Sequence, residues 1–416
     1  MVGSGEGRTV SEHGPAAQTL IARARALVPL LREQQDEADR RGYYSDAVHQ
    51  QLLQAGLYRI LQPKLFGGHE LDFGTLLAVV TEISRGHPSS GWCFTLASSH
   101  CLILASHWGE QAQRELFGPA GEFRAAHRSV PAGKFKRVDG GYVIESGSWS
   151  YSSGMPVATH FGGGALLPDK NGNPVSVNFF VRREQVTILP DWGGDQSLGM
   201  QGSGSNTVRI ENVFVPDHHI AWGNFLLEQT DPTGTPGTRL HRNPLYLGVV
   251  GGPYHLTFSA MMLGTARAAI EEFEQLIRTR KAIGNPNVYI YQQTDVQAAL
   301  GEAMVLADSA EAVMRSAADL YREYCERWAR HATPIGAADT MKMWGMARQS
   351  CLMSCNAVEL LFRRGTPTVT ARAHKLQRYF RDIQMYLVHP ASQPWVPRGR
   401  AQSHLGLGVE YFTARK

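Results

Sequence analysis

The chain has 416 residues, of which 43% are hydrophobic and 19% charged, with a formal net charge of +4. That length exceeds what one core fills, so two or three cooperating domains are expected, and so weak and scattered a positive charge excludes a nucleic-acid footprint. With no 18-residue apolar run and no apolar leader, no membrane segment is expected, and the cytoplasm is the expected location.

In chain order, Gly3, Gly5 and Gly7 have no strand before them and are expected to belong to a flexible tail rather than a nucleotide loop. From Ala16 to Leu116 the pattern is helical: Ala17, Leu20, Ile21, Ala24, Leu27, Leu30 and Leu31 recur at helix spacing. A second helix over Asp46–Ala55 is expected to stop at Gly56, before a turn-rich Pro63–Gly68 loop. From Phe123 to Trp222 the character changes. Val175, Val177, Phe179 and Val181 alternate with Ser176, Asn178, Phe180 and Arg182, a strand period, and Asn206–Pro216 predicts another strand.

After the Pro- and Gly-rich linker Asp231–Gly237, helices return. A stripe of Leu306, Ala310, Val313, Ala317, Leu320, Tyr324 and Trp328 predicts a long one-sided helix, followed by helices over Pro334–Arg364 and Ala373–Val388. The tail from Ser392 to Lys416 carries no assignable motif. The expected fold is therefore an α+β multi-domain chain: an N-terminal helical domain (1–122), a central β-barrel or β-sandwich domain (123–235) and a C-terminal helical bundle with its tail (236–416). Strands and helices do not alternate as a dinucleotide domain requires.

Five cysteines without a C-x-x-C pair are read as buried reduced thiols. No histidine cluster has zinc or iron spacing along the chain, so no metal site is expected. No dinucleotide fingerprint or P-loop appears, so NAD(P)H binding is not expected.

Several segments, in collinear order, resemble the acyl-CoA dehydrogenase superfamily. They are Leu53-Gln54-Ala55-Gly56-Leu57 with Pro63–Gly68, Thr81–Arg85 leading to Ser89-Ser90-Gly91, and Arg280 before Gly284, Gln293 and Gln297. The resemblance implies that superfamily's fold. Its usual carboxylate base is missing: after Arg381-Asp382 the motif position reads Val388-His389-Pro390-Ala391. Two further segments resemble the oxygenases related to 4-hydroxyphenylacetate hydroxylase: Gly147-Ser148-Trp149-Ser150-Tyr151-Ser152-Ser153-Gly154, and Trp192 through Leu198–Asn206.

That branch implies the oxygenase component of a two-component flavin-dependent monooxygenase, hydroxylating a small phenol-like substrate through a flavin C4a-hydroperoxide. Reduced FMN or FAD comes from a separate NAD(P)H-dependent flavin reductase, and the usual assembly is a homotetramer. Alternatives within the fold are N- or S-oxygenation of an amine, amino sugar or sulfur heterocycle, or an acyl-CoA dehydrogenase with a base from elsewhere. By the same resemblance Ser153 is the partner of flavin N5, against a plain Ser–Gly turn. His389 faces the peroxide, against a helix-terminal histidine. His100, eight residues after Trp92, reaches the phenolic oxygen. Trp92 and Ser129 fall at substrate contacts. Trp149, Tyr151, Ser152, Ser203 and Ser205 fall at the isoalloxazine, and Arg280 at the flavin phosphate.

Overall fold

The computed structural model describes residues 13–282 and 284–410; the glycines at 3, 5 and 7 lie outside the described residues. Among the described residues eight α-helices come first: α1 (Pro15–Ala26), α2 (Val28–Glu33), α3 (Gln35–Arg41), α4 (Asp46–Gln54), α5 (Phe73–Gly86), α6 (Pro88–Ser99), α7 (Cys101–His107) and α8 (Glu110–Phe117). The first apolar stripe, Ala17 to Leu31, is divided between two helices, α1 and α2. Val28-Pro29 opens α2, and proline is tolerated only in a first turn. Ser45 caps α4 by accepting from the Val48 amide, and Gly56 turns left-handed (φ 74°) after its end.

Eight strands follow: β1 (Ala125–Pro131), β2 (Lys134–Val138), β3 (Gly141–Trp149), β4 (His160–Pro168), β5 (Pro174–Arg182), β6 (Thr187–Ile188), β7 (Val208–Pro216) and β8 (Ile220–Trp222). They form two four-stranded sheets, β1-β4-β5-β8 and β2-β3-β7-β6, antiparallel except for the β1–β4 pair. The alternation seen in β5 does not separate core from solvent. Val177, Phe179 and Val181 enter the β core, while Phe180, on the opposite face, joins the helical core and packs on Trp108 and Phe123. Both faces are covered because this sheet is sandwiched between its sister sheet and the N-terminal helices.

The rest is α9 (Pro236–His241), α10 (Gly251–Thr279), a small hairpin of β9 (Lys281–Ala282) and β10 (Asn285–Tyr289), α11 (Thr294–His331), α12 (Ala337–Arg364), α13 (Lys375–Leu387) and α14 (Trp395–His404). Helix α10, which the stripe analysis did not single out, is the centre of the bundle. Its residues 255–266 are buried on every side, and a helix apolar all round shows no periodic stripe. On α11 the buried line is Ala303, Ala307, Ala310, Met314, Ala317, Tyr321 and Tyr324. Leu306 and Val313 from the expected stripe are only half-buried, because the small alanines let the neighbouring helices approach most closely. The unassigned tail supplies α14, which lays Trp395 edge-on to Trp344 of α12 at 4.6 Å. One apolar core runs through both helical segments, from Leu20 to Ala391, and the β domain has its own. All five cysteines are free and buried.

Candidate active site

Helix α6 carries the first part of the site, and every one of its residues is buried. Small residues make this possible: a Cβ on Gly91 would sit 2.0 Å from Ser84 Oγ. Trp92 projects from α6, and its indole N–H donates to Ser153 Oγ at 3.1 Å.

Ser153 sits in the turn after β3. Tyr151 is left-handed (φ 60°), and the Ser152 and Gly154 amides donate to the Asn206 and Ser203 carbonyls, each at 3.1 Å. Gly154 must be glycine: its φ is 81°, and a Cβ there would lie 2.8 Å from the Cys93 carbonyl oxygen on α6. This close approach wedges Ser153 between α6 and the 199–206 loop.

That loop is held from beneath by α13. The Met200 amide, in a left-handed residue, donates to Asp382 Oδ1 at 2.6 Å, and a Cβ on Gly199 would sit 2.3 Å from the Arg381 carbonyl oxygen. Burial, helped by the neighbouring Asp39 charge, pushes the Asp382 carboxyl up to about 7. Burial also opposes ionisation of Asp39, but His87 and Arg378 outweigh it and hold that carboxyl below its usual value. Arg378 Nε lies 3.0 Å from Asp39 Oδ2, and His87 Nε2 lies 3.2 Å from Oδ1.

The loop and the turn meet in a chain of hydroxyls. Ser153 Oγ lies 2.7 Å from Ser205 Oγ, which lies 2.7 Å from Ser203 Oγ. Two hydroxyl protons bridge three oxygens and one proton is left over, so the chain can run either way. In one sense Ser153 donates outward. In the other it keeps a lone pair for an incoming N–H.

His389 follows α13 and stands on the opposite edge of this group. Its ring is 6.0 Å from Trp92 and 4.9 Å from Phe258 of α10. Its Nδ1 accepts from the Ala391 amide at 3.1 Å, so the neutral ring carries its proton on Nε2. Burial, with Arg128 adding repulsion, lowers its pKa to about 4. His100, at the end of α6, has the reverse polarity. Its Nδ1 lies 2.7 Å from the Ala125 carbonyl and must donate, leaving Nε2 as a bare acceptor in the neutral ring. Burial lowers the His100 pKa to about 4 as well, against the pull of backbone carbonyls. Between the two histidines stand Phe258 and Tyr254, 5.7 Å apart, with Tyr254 stacked on His100 at 5.6 Å.

Ser153, His389, Trp92, Ser203 and Ser205 are thus brought together, and His100 lies at the far end of the same aromatic row. Tyr151 flanks the turn. Its ring is 63% exposed beside Trp192, an unusual presentation for so large an aromatic and one that suits a flat ligand ring.

Three of the expected residues take no part in these contacts. Trp149 points away from the site into the β core, where it packs on Phe161 and Phe179 and donates to the Gly164 carbonyl at 3.2 Å; the irregular pairing of β2 with β3 between Ile144 and Ser146 breaks the strand's alternation before it. The Ser152 hydroxyl is fully buried and donates to the Trp149 carbonyl at 2.9 Å, a contact within the turn. Ser129 is exposed on β1; two residues earlier on that strand, His127 faces His100 at 5.4 Å.

Sequence reasoning passed over His127, Tyr254 and Phe258. The His127 ring has its pKa lowered to about 3 by burial and by His100, and its buried Nε2 has no hydrogen-bond partner among the described residues. Its two-residue spacing from Ser129 was the available signal. Arg280 is exposed at the end of α10. It lies twenty-two residues beyond Phe258, so roughly 33 Å along the helix axis from the aromatic row.

Residues 17–120 match the acyl-CoA dehydrogenase N-terminal domain and residues 256–394 match the C-terminal domain. The chain is 29% identical to the flavin-dependent monooxygenase oxygenase subunit HsaA of Rhodococcus jostii (strain RHA1), over 90% of this chain and 94% of that protein. It is 24% identical to the p-hydroxyphenylacetate 3-hydroxylase oxygenase component of Acinetobacter baumannii, over 89% and 85% of the two chains. The crystal structure of 3-HSA hydroxylase from Rhodococcus sp. RHA1 superposes with a TM-score of 0.83 at 26% identity, covering 94% of this chain and 98% of that one. The chain belongs to the acyl-CoA dehydrogenase superfamily, in its branch of flavin-dependent monooxygenase oxygenase components.

Proposed function

We propose that this chain hydroxylates a small phenolic ring, with reduced FMN or FAD delivered by a separate NAD(P)H-dependent reductase, as a cytoplasmic homotetramer. The observation that carries the reading is the Trp92 ring, which has Ser153 hydrogen-bonded at one edge and His389 beside another. The hydroxyl chain and the exposed Tyr151 ring suit a flavin in that position. Reduced flavin bound there supplies the electrons that activate dioxygen.

The chain's own residues do the rest. Ser153, able to accept as well as donate, holds a proton on a ring N–H and so slows its departure. Trp92, Phe258 and Tyr254 replace water with apolar surface along the row. His389 offers an N–H donor from Nε2. His100, neutral and with Nε2 bare, accepts the phenol proton and enriches the ring ortho to oxygen. Arg280 is too distant to share this pocket, so its assignment to the flavin phosphate requires a site completed by a neighbouring subunit.

The test combines two readouts. Anaerobic titration with reduced FMN and FAD measures binding, and admission of dioxygen with a panel of phenols measures product against hydrogen peroxide. Ser153→Ala should still bind flavin yet shift the output from product to peroxide. His100→Asn should lower product formation by about 10²-fold. Unchanged product-to-peroxide ratios in Ser153→Ala, or no reduced-flavin binding by the parent chain, would overturn the reading.

A further inference from the structure

A second group of side chains converges outside this site. Glu115 near the end of α8 and His218-His219 in the turn between β7 and β8 are separated in sequence by most of the β domain. The Nε2 atoms of both histidines lie 2.8 Å from one oxygen, Glu115 Oε2. The three ligand-capable atoms all lie within 4.8 Å of one another.

Two imidazoles and a carboxylate make a donor set that suits zinc and its first-row neighbours. Adjacent ligands around an ion held at about 2.0–2.2 Å stand roughly 3 Å apart, so a small outward movement of the two rings would admit one. The surroundings orient the ligands. Gln111 Nε2 donates to the other carboxylate oxygen, Oε1, at 3.0 Å, which leaves Oε2 for the histidines. The Trp108 indole donates to the His219 carbonyl at 2.8 Å and fixes the turn. The side chains of Glu115, His218 and His219 remain 42%, 35% and 16% exposed, so water can reach the open side and complete the coordination.

We propose that Glu115, His218 and His219 bind a divalent transition-metal ion, zinc above all, which clips the N-terminal helical layer to the β domain. The expectation of no metal site rested on spacing along the chain. Two adjacent histidines give no such spacing, and the third ligand comes from another layer of the fold. The ion changes no oxidation state here; it replaces hydrogen bonds between the same three side chains.

The experiment is calorimetric titration of the chelator-treated, tag-free full chain with zinc chloride, followed by cobalt titration read in the visible spectrum. One equivalent per chain is expected, with a cobalt band unlike that of the free aqueous ion. Glu115→Ala or His219→Ala should weaken binding by at least about 100-fold, and Gln111→Ala by about tenfold. The proposal is overturned if the parent chain takes up no zinc, or if the His218→Ala/His219→Ala double variant takes up as much. Should that double variant misfold by circular dichroism, Glu115→Gln, which keeps the side-chain size, makes the same comparison.

Discussion

Trp92 donates its indole N–H to the Ser153 hydroxyl across 3.1 Å, joining a buried helix of the N-terminal layer to the turn that follows β3 in the β domain. The bond orients Ser153 by filling one lone pair, so the remaining valences of that oxygen face Ser205 and the site. Trp92→Phe keeps an aromatic ring and deletes the donor. It should cost about 1 kcal/mol in urea unfolding. It should also raise the share of hydrogen peroxide in the oxygen consumed with reduced flavin. A variant as stable and as tightly coupled as the parent would show that the bond is incidental.

Asp382 supplies a prediction with a definite sign. Its carboxyl is raised to about 7 from an ordinary 3.8, first by burial and then by the Asp39 charge. Between those values the folded chain holds a proton that the unfolded chain has lost, so stability falls as pH rises through that window. Asn at this position still accepts from the Met200 amide but cannot ionise. Asp382→Asn should therefore remove the loss of thermal midpoint that accompanies Asp382 ionisation. Identical slopes in parent and variant would contradict the shifted carboxyl.

The buried histidines act at the acid side. His100, His107 and His389 are lowered to about 4, and His127, His160 and His255 to about 3, in each case chiefly by burial. Their unfolded forms take up protons near 6.5, so the stability they contribute is whole above that pH and is lost as pH falls toward 4. The urea midpoint should drop steeply across that interval, with proton uptake on unfolding. Replacing His255, which stacks on Trp344 at 3.5 Å, by Phe should lessen the uptake even if the packing suffers. A flat acid limb would refute the burial argument.

Much of the fold was legible because periodicity records which face a segment buries. The three-zone order, the strands β5 and β7 and the long helices α11 and α12 follow from spacing alone. Helix α10 was not legible: a segment buried on all sides carries no period, and only the assembled bundle shows it to be central. The β5 alternation was legible as a strand but misleading about its faces, since Phe180 is buried by helices that arrive from another layer.

The site divides in the same way. The Gly147–Gly154 and Leu198–Asn206 segments mark where the hydroxyls lie, and the displacement of the usual base by Val388–Ala391 marks His389. The sequence by itself determined the superfamily, the absence of a carboxylate at that position and the candidate serines. Tertiary structure decided which hydroxyls touch, that Trp149 turns into the core, and that His127 rather than Ser129 faces His100. It also decided that His100 and His389 present opposite hydrogen-bonding atoms, and that Glu115 meets His218 and His219. Residue types are written in one dimension. Hydrogen-bond polarity and the convergence of side chains depend on backbone carbonyls and amides brought from distant segments, and these acquire positions only when the layers pack.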